Sequence, residues 1–175
     1  MFRRNNLLVR RAVKKMNKSI LVGIDGSEYS LHALQEVISL AKKLDAVLTL
    51  VNVQPSFNTI HTRLFFSHET IKDYQHQLSQ EALNPAVELL QEEEMEYETV
   101  VRIGEPKHEI CELADKMKAD YIVLGSRGMG PVKGQILGSV SYGVLHDSIS
   151  PVIIVPLNNK NNQTNKTIKR FSEYV

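Results

Sequence analysis

The chain has 175 residues, 42% of them hydrophobic and 23% charged, with a formal net charge of +1, one cysteine and no tryptophan; this is the size of one domain with a substantial core. The lone Cys111 excludes an internal disulfide, the scarcity of aromatics disfavours a stacking surface for single-stranded nucleic acid, and no apolar run reaches the roughly 18 residues of a membrane span. The near-neutral total hides a segregation: residues 1–18 hold seven Lys/Arg and no acid, residues 19–157 hold ten Lys/Arg against nineteen Asp/Glu, and the last eighteen residues hold four bases and one acid. An acidic body disfavours nucleic-acid binding by the folded part, and the basic ends read as solvated tails.

Residues 1–16, Arg-rich and acid-free, resemble a mitochondrial presequence. Met16 directly before NKSILVGID offers a simpler account, a start at that residue or a disordered extension, and a cytoplasmic location is expected. SILVGID, residues 19–25, is an apolar β-branched run that reads as a buried strand. Gly26 and Ser27 end it, and Ser27 or Ser30 can cap the next helix. Leu31, Leu34, Val37, Ile38, Ala41 and Leu44 then recur at three- and four-residue spacing, an amphipathic helix. AVLTLVNV, 46–53, is a second strand, closed by Pro55. Residues 55–68 show no clean period and are read as a loop. A helical stretch follows over about 68–94, where Pro85 should kink it or start a new helix.

YETVVRI, 97–103, is a third strand turned by Gly104. Pro106 suits a first helical turn, and His108 to Lys118 form a short helix with Ile110, Leu113, Ala114 and Met117 inward. DYIVLG, 120–125, is a fourth strand, Val140, Val144 and Leu145 mark a short helix, and SPVIIVP, 150–156, is a fifth strand. The polar, low-complexity stretch from residue 158 onward reads as disordered. Alternating strands and helices predict a parallel α/β sheet covered on both faces, with right-handed crossovers. Ligands in such sheets lie beyond the carboxyl ends of the strands, here at Asp25-Gly26, Val53-Gln54, Gly104 and Gly125-Ser126.

The glycine-rich stretch GSRGMGPVKGQILGS, 125–139, follows one of those ends. It is not a P-loop, because Pro131 stands where the lysine belongs and Gly134 follows Lys133. Gly128, Gly130 and Gly134 give a loose dinucleotide fingerprint, placed after the fourth strand rather than the first, with Asp147 nineteen residues past Gly128. A better fit is Gly125-x2-Gly128-x9-Gly138-Ser139. Glycines let backbone N–H groups approach a phosphate closely, and Gly138-Ser139 stands where the next helix begins, facing an anion with free N–H groups and the helix dipole.

This spacing, with VGIDGS at 22–27 and the closing SPVIIVP, resembles the universal stress protein family over residues 17–157, in its ATP-binding subgroup. The resemblance implies a five-stranded parallel sheet in order 3-2-1-4-5, Rossmann-like and of adenine-nucleotide alpha hydrolase-like type, binding ATP with Mg²⁺ or Mn²⁺. It implies that Asp25 holds the ribose or approaches metal-bound phosphates, that the Gly23 backbone edges the nucleotide, and that Val53 gives backbone bonds to adenine. Leu124 and Gly125 would line the sugar, and Gly128, Gly138, Ser139 and Val140 would cradle the phosphates. Charge adds Arg127 and Lys133 as phosphate partners. The resemblance also implies a homodimer paired through the last strand, Pro151 to Pro156, an apolar sheet edge of the kind that tends to pair.

Other residues have plainer readings. Asp25 can instead cap a helix. Cys111 lies on an apolar helix face and reads as core. His61, His68, His76, His108 and His146 fit no metal-ligand spacing and read as surface residues. Asp25 is the one candidate base near a γ-phosphate, so the expectation is a nucleotide-responsive stress regulator with at most slow hydrolysis rather than an efficient enzyme. Two other readings remain: an interaction protein with a vestigial site, and a nicotinamide-dependent enzyme using the loose fingerprint.

Overall fold

The computed structural model describes residues 18–57, 60–129 and 137–157. The chain alternates β1 (Lys18–Gly23), α1 (Glu28–Leu44) and β2 (Ala46–Gln54), then α2 (Ile60–Phe65), α3 (His68–Glu92) and β3 (Tyr97–Ile103). It finishes with α4 (Pro106–Met117), β4 (Tyr121–Gly125), α5 (Ser139–Asp147) and β5 (Val152–Val155). The strands form one five-stranded sheet in the order β3-β2-β1-β4-β5, and every neighbouring pair is parallel. Fold class and strand order are those expected from the sequence.

Strand side chains alternate between two cores because successive residues face opposite sides of a sheet. Ile20, Val22 and Ile24 pack with Leu34 and Val37 of α1 and with Leu83, Ala86 and Leu90 of α3. Leu21, Val51, Ile122 and Leu124 pack on the other face with Ile110, Leu113 and Ala114 of α4 and Val144 of α5. Covered on both faces, central β1 is apolar at every position from Ile20 to Val22, each fully buried. Cys111 packs against the second core as a half-buried residue, and burial pushes its thiol pKa up.

Two sequence expectations need correction. Residues 55–68 are not all loop, since α2 occupies Ile60–Phe65. Of the two readings of Pro85, the start of a new helix is excluded: α3 runs through it as one 25-residue element. Ala82, Leu83, Ala86 and Leu90 are buried along this segment, so tertiary packing holds a helix across a proline that lacks the N–H for one rung of the ladder. The assigned cap of α1 is correct: Ser27 is its N-cap and its hydroxyl accepts the Ser30 N–H at 3.2 Å.

The core also fixes where the strands stop. Buried Asn52 donates from Nδ2 to the Ile24 carbonyl at 2.7 Å and accepts the Gln54 amide at 2.7 Å. With Ile24 N–H donating to the Val51 carbonyl at 2.9 Å, these bonds hold the end of β1 against β2 while the chain turns away at Gly26. That turn needs φ +84° with a would-be Cβ only 3.2 Å from Ala82 Cα, and both conditions favour glycine.

Candidate functional site

The carboxyl ends of β1 and β4 diverge toward α1 and α5, and a cavity of about 250 Å³ opens between them. It is lined by Gly23, Leu124 and Gly125, by the apolar Val51, Val53, Pro106 and Ile110, by Asp25, Arg127 and Gly128, and by Gly138, Ser139 and Val140. Each of these residues owes its place to local structure. Gly23 gives way to the Leu124 side chain, which occupies the space of its missing Cβ. Gly125 lies against the backbone of Tyr29, whose carbonyl carbon and oxygen would be 2.7 Å from an added Cβ. Pro106 begins α4 behind Glu105, whose carboxylate accepts the N–H groups of Lys107 and His108.

Asp25 is a clasp. Its Oδ1 accepts the Ser27 N–H at 3.0 Å and the Ser27 hydroxyl at 2.6 Å, and its Oδ2 accepts the Met129 N–H at 3.2 Å. The missing Cβ of Gly128 leaves room for Oδ2. The carboxylate thus joins the end of β1 to the chain leaving β4, and Asp25 is not a helix cap. The Ser141 hydroxyl donates to the Gly125 carbonyl at 2.8 Å, and Ser126 N–H donates to the Val155 carbonyl at 2.9 Å. The first bond seats the first turn of α5 on the tip of β4, and the second joins the tips of β4 and β5.

The start of α5 is uncapped by any side chain. One sequence expectation changes here. The Gly138 N–H is not free, because it donates to the Ser126 carbonyl at 2.8 Å. The first helical bond runs from Tyr142 N–H to the Gly138 carbonyl, which leaves the N–H groups of Ser139, Val140 and Ser141 as the open donors of the first turn. A helix N-terminus carries roughly half a positive charge, so this end of the cavity favours an anion and the Val53–Ile110 end favours an apolar, flat group. Arg127 stands near the anionic end with its guanidinium 6.0 Å from the Tyr29 ring centre.

All ten residues singled out in the sequence, Gly23, Asp25, Val53, Leu124, Gly125, Arg127, Gly128, Gly138, Ser139 and Val140, line this one cavity. Lys133, Gly130 and Gly134 lie outside the described residues. Sequence reasoning did not assign the other lining residues to the site: Ile24, Ser30, Val51, Pro106, Ile110, Met129, Leu137 and Ser141. Ile110 and Pro106 were legible only as a core position and a helix start. Their second role depends on α4 crossing the tips of β1 and β2, which no local pattern encodes.

Beside the cavity mouth, Lys107 Nζ bonds Asp147 at 2.8 Å and His146 Nδ1 meets the same carboxylate at 2.6 Å. Lys107 first and His146 second hold the Asp147 carboxyl below its ordinary range, and Asp147 raises Lys107 in return. His68, His76, His108 and His146 are all exposed, as expected; the His61 side chain lies outside the described residues. Among the described residues no group of three His, Cys, Asp or Glu could hold a metal ion, and no helix is long and apolar enough to cross a membrane.

The model of the universal stress protein family matches residues 16–156. The chain belongs to that family. A universal stress protein of Methanocaldococcus jannaschii is 31% identical over 150 residues, covering 86% of this chain and 88% of its own length. The solved structure of the hypothetical protein MJ0577, whose biochemical function was assigned from that structure, superposes with a TM-score of 0.68 at 27% identity, covering 83% of this chain and 99% of that one. A universal stress protein in complex with cAMP superposes at 0.56 with 27% identity, covering 79% and 96%. Family membership accounts for the strand order and for the position of the cavity at the topological switch between β1 and β4.

Proposed function

We propose that the cavity binds ATP and that the protein is a nucleotide-responsive regulator of stress tolerance. One observation carries the reading: an uncapped helix N-terminus and a carboxylate at a strand tip line a single cavity together with glycines and the apolar Val51, Val53, Pro106 and Ile110. Triphosphate oxygens fit the N–H groups of Ser139, Val140 and Ser141. Ribose hydroxyls fit Asp25, and the adenine ring fits the slot between Val53, Pro106 and Ile110 with its edge on the Val53 backbone. The cAMP complex of a 27% identical universal stress protein supports an adenine nucleotide as the ligand class. A divalent cation, Mg²⁺ or Mn²⁺, would arrive on the triphosphate and be held mainly by it.

Asp25 is the one carboxylate lining the cavity among the described residues, and both of its oxygens accept hydrogen bonds from the protein. It is poorly placed to take a proton from an attacking water, so hydrolysis, where it occurs, is slow. β5 is a sheet edge, and its four half-buried apolar residues suit antiparallel pairing with a second copy. A monomer by light scattering at micromolar concentration would remove the homodimer.

The deciding experiment is denaturation of the purified protein followed by mass spectrometry of any released nucleotide, with calorimetry of ATP on wild type and Gly138→Val. ATP or ADP supports the proposal, and NAD(P) would replace it with the nicotinamide reading. An empty site that gives no ATP heat would leave an interaction protein. Gly138 has an extended backbone at φ −69° and ψ 156°, and an added Cβ would lie 3.4 Å from Arg127 Cα, an ordinary contact. The variant should therefore fold and lose ATP because its branch fills the anionic end; unchanged affinity would overturn this placement of the phosphates.

A further inference from the structure

The cavity, at about 250 Å³, is slightly under the roughly 300 Å³ lower bound of small-molecule sites. It does not close at its anionic end. Ser139 lines both the cavity and a second, shallow groove of about 340 Å³ between the start of α4 and the outer face of α5. Ser139, Tyr142, Gly143 and His146 stand at helical spacings of three, four and seven and so share one face. At a rise of 1.5 Å per residue, this face runs about 10 Å from Ser139 to His146, room for one further nucleoside.

The chemistry of the groove differs from that of the α5 N-terminus. Tyr142 is 62% exposed, and its ring lies beside His146 at 6.4 Å between centres and 26° between planes, a platform for a flat ring. Lys107 is paired with Asp147 and flanked by Glu105, so the groove does not suit more phosphate. Its carboxylates suit hydroxyl donors instead. The missing Cβ of Gly143 leaves space for the aliphatic stem of Lys107, which closes the α4 side.

We propose that the site takes dinucleoside polyphosphates: one nucleoside in the cavity, the phosphate chain across the first turn of α5, and the second nucleoside in the groove with its base on Tyr142. This rests on the nucleotide reading of the cavity. Joining two nucleosides through one phosphate chain makes the second contact intramolecular, so the gain in affinity comes without a second independent site.

Calorimetry of ATP and of diadenosine tetraphosphate on the full chain tests it, with Tyr142→Ala and Tyr142→Phe as variants. Wild type should bind the dinucleotide at least about tenfold more tightly than ATP, the effect of one stacked base. Tyr142→Ala should erase that advantage and leave ATP unchanged, whereas Tyr142→Phe should keep it. Equal affinities in wild type, an advantage that survives Tyr142→Ala, or equal weakening of both ligands overturns the inference while ATP binding stands. Binding of neither ligand overturns the nucleotide reading and this inference with it.

Discussion

Asp25 Oδ2 accepts the Met129 N–H at 3.2 Å, joining residues 104 positions apart in sequence. The same carboxylate holds Ser27 through its other oxygen. One side chain therefore ties the start of α1 to the chain at Met129, just past β4. A ribose hydroxyl that reaches Asp25 competes with the Met129 amide for Oδ2, so nucleotide binding and the position of Met129 are linked.

Replacing Asp25 by Ala removes the acceptor of three donors. ATP affinity should fall at least about tenfold and stability by about 1.5–3 kcal/mol, the range for hydrogen bonds to charged groups. Asp25→Asn should not rescue it, because an amide offers one acceptor oxygen where the carboxylate offers two, and its NH₂ must face either Ser27 or Met129 donors. Calorimetry, urea unfolding and hydrogen exchange of the Met129 amide report the three effects. A protected Met129 amide in Asp25→Ala would disprove the clasp.

Gly125 and Gly138 belong to one sequence pattern but should respond oppositely to alanine. An added Cβ at Gly125 meets backbone atoms of Tyr29 at 2.7 Å, which cannot give way, whereas at Gly138 the nearest atom is 3.4 Å off. Gly125→Ala should cost about 1–3 kcal/mol by overpacking, and Gly138→Ala should leave the unfolding free energy from urea titration within about 0.5 kcal/mol of wild type. Equal midpoints would show that α1 shifts to relieve the contact at Tyr29.

These two glycines also show how far the sequence could be read. The strands were legible because buried parallel strands are short apolar runs, and VGIDGS, Gly125-x2-Gly128 and Gly138-Ser139 each lie at a strand tip or helix start where spacing alone places them. The Gly138 N–H was misjudged as free because its acceptor, the Ser126 carbonyl, becomes a neighbour only when the chain returns to β4. The sequence alone offers Asp25 as a ligand or a cap, and its bond to Met129 depends on the adjacency of β1 and β4. Pro106 and Ile110 enter the cavity wall through the same long-range packing. α2 escaped detection because six residues are too few to establish a helical period.

Acid should loosen the end of the sheet opposite the cavity. Asp120 accepts from Lys18 Nζ and from the Ser19 N–H at the start of β1, and Lys18 first, then Ser19, hold its carboxyl below the ordinary value. A carboxyl depressed in the folded state contributes stability above its unfolded pKa and loses it as pH falls through the folded one. The loss should therefore begin near pH 4, the ordinary range for Asp, and grow below it. Asp120→Asn should flatten the part of the pH dependence below about pH 4 that Asp120 supplies, leaving Asp147 and Glu112, whose carboxyls are also depressed. Urea midpoints between about pH 5 and 2 decide it; parallel curves for wild type and variant would assign the acid response elsewhere.

Pro85 sits inside α3 with its ring exposed, so it contributes no core packing to offset what it removes. A proline in a helix interior lacks the N–H for the carbonyl four residues back and crowds that carbonyl, at a cost of about 3 kcal/mol relative to alanine. Some of that cost is returned, because proline also restricts the unfolded chain by about 0.4–1 kcal/mol. The balance favours alanine. Pro85→Ala should raise stability by about 1–2.5 kcal/mol and leave ATP affinity unchanged, since Pro85 is not among the residues lining the cavity. A destabilised Pro85→Ala would mean that the backbone geometry proline fixes is needed to seat Leu83 and Leu90 together on the sheet. In that case Leu90→Ala, which opens a cavity at a fully buried position and should cost about 2–5 kcal/mol in wild type, would cost measurably less in the Pro85→Ala background.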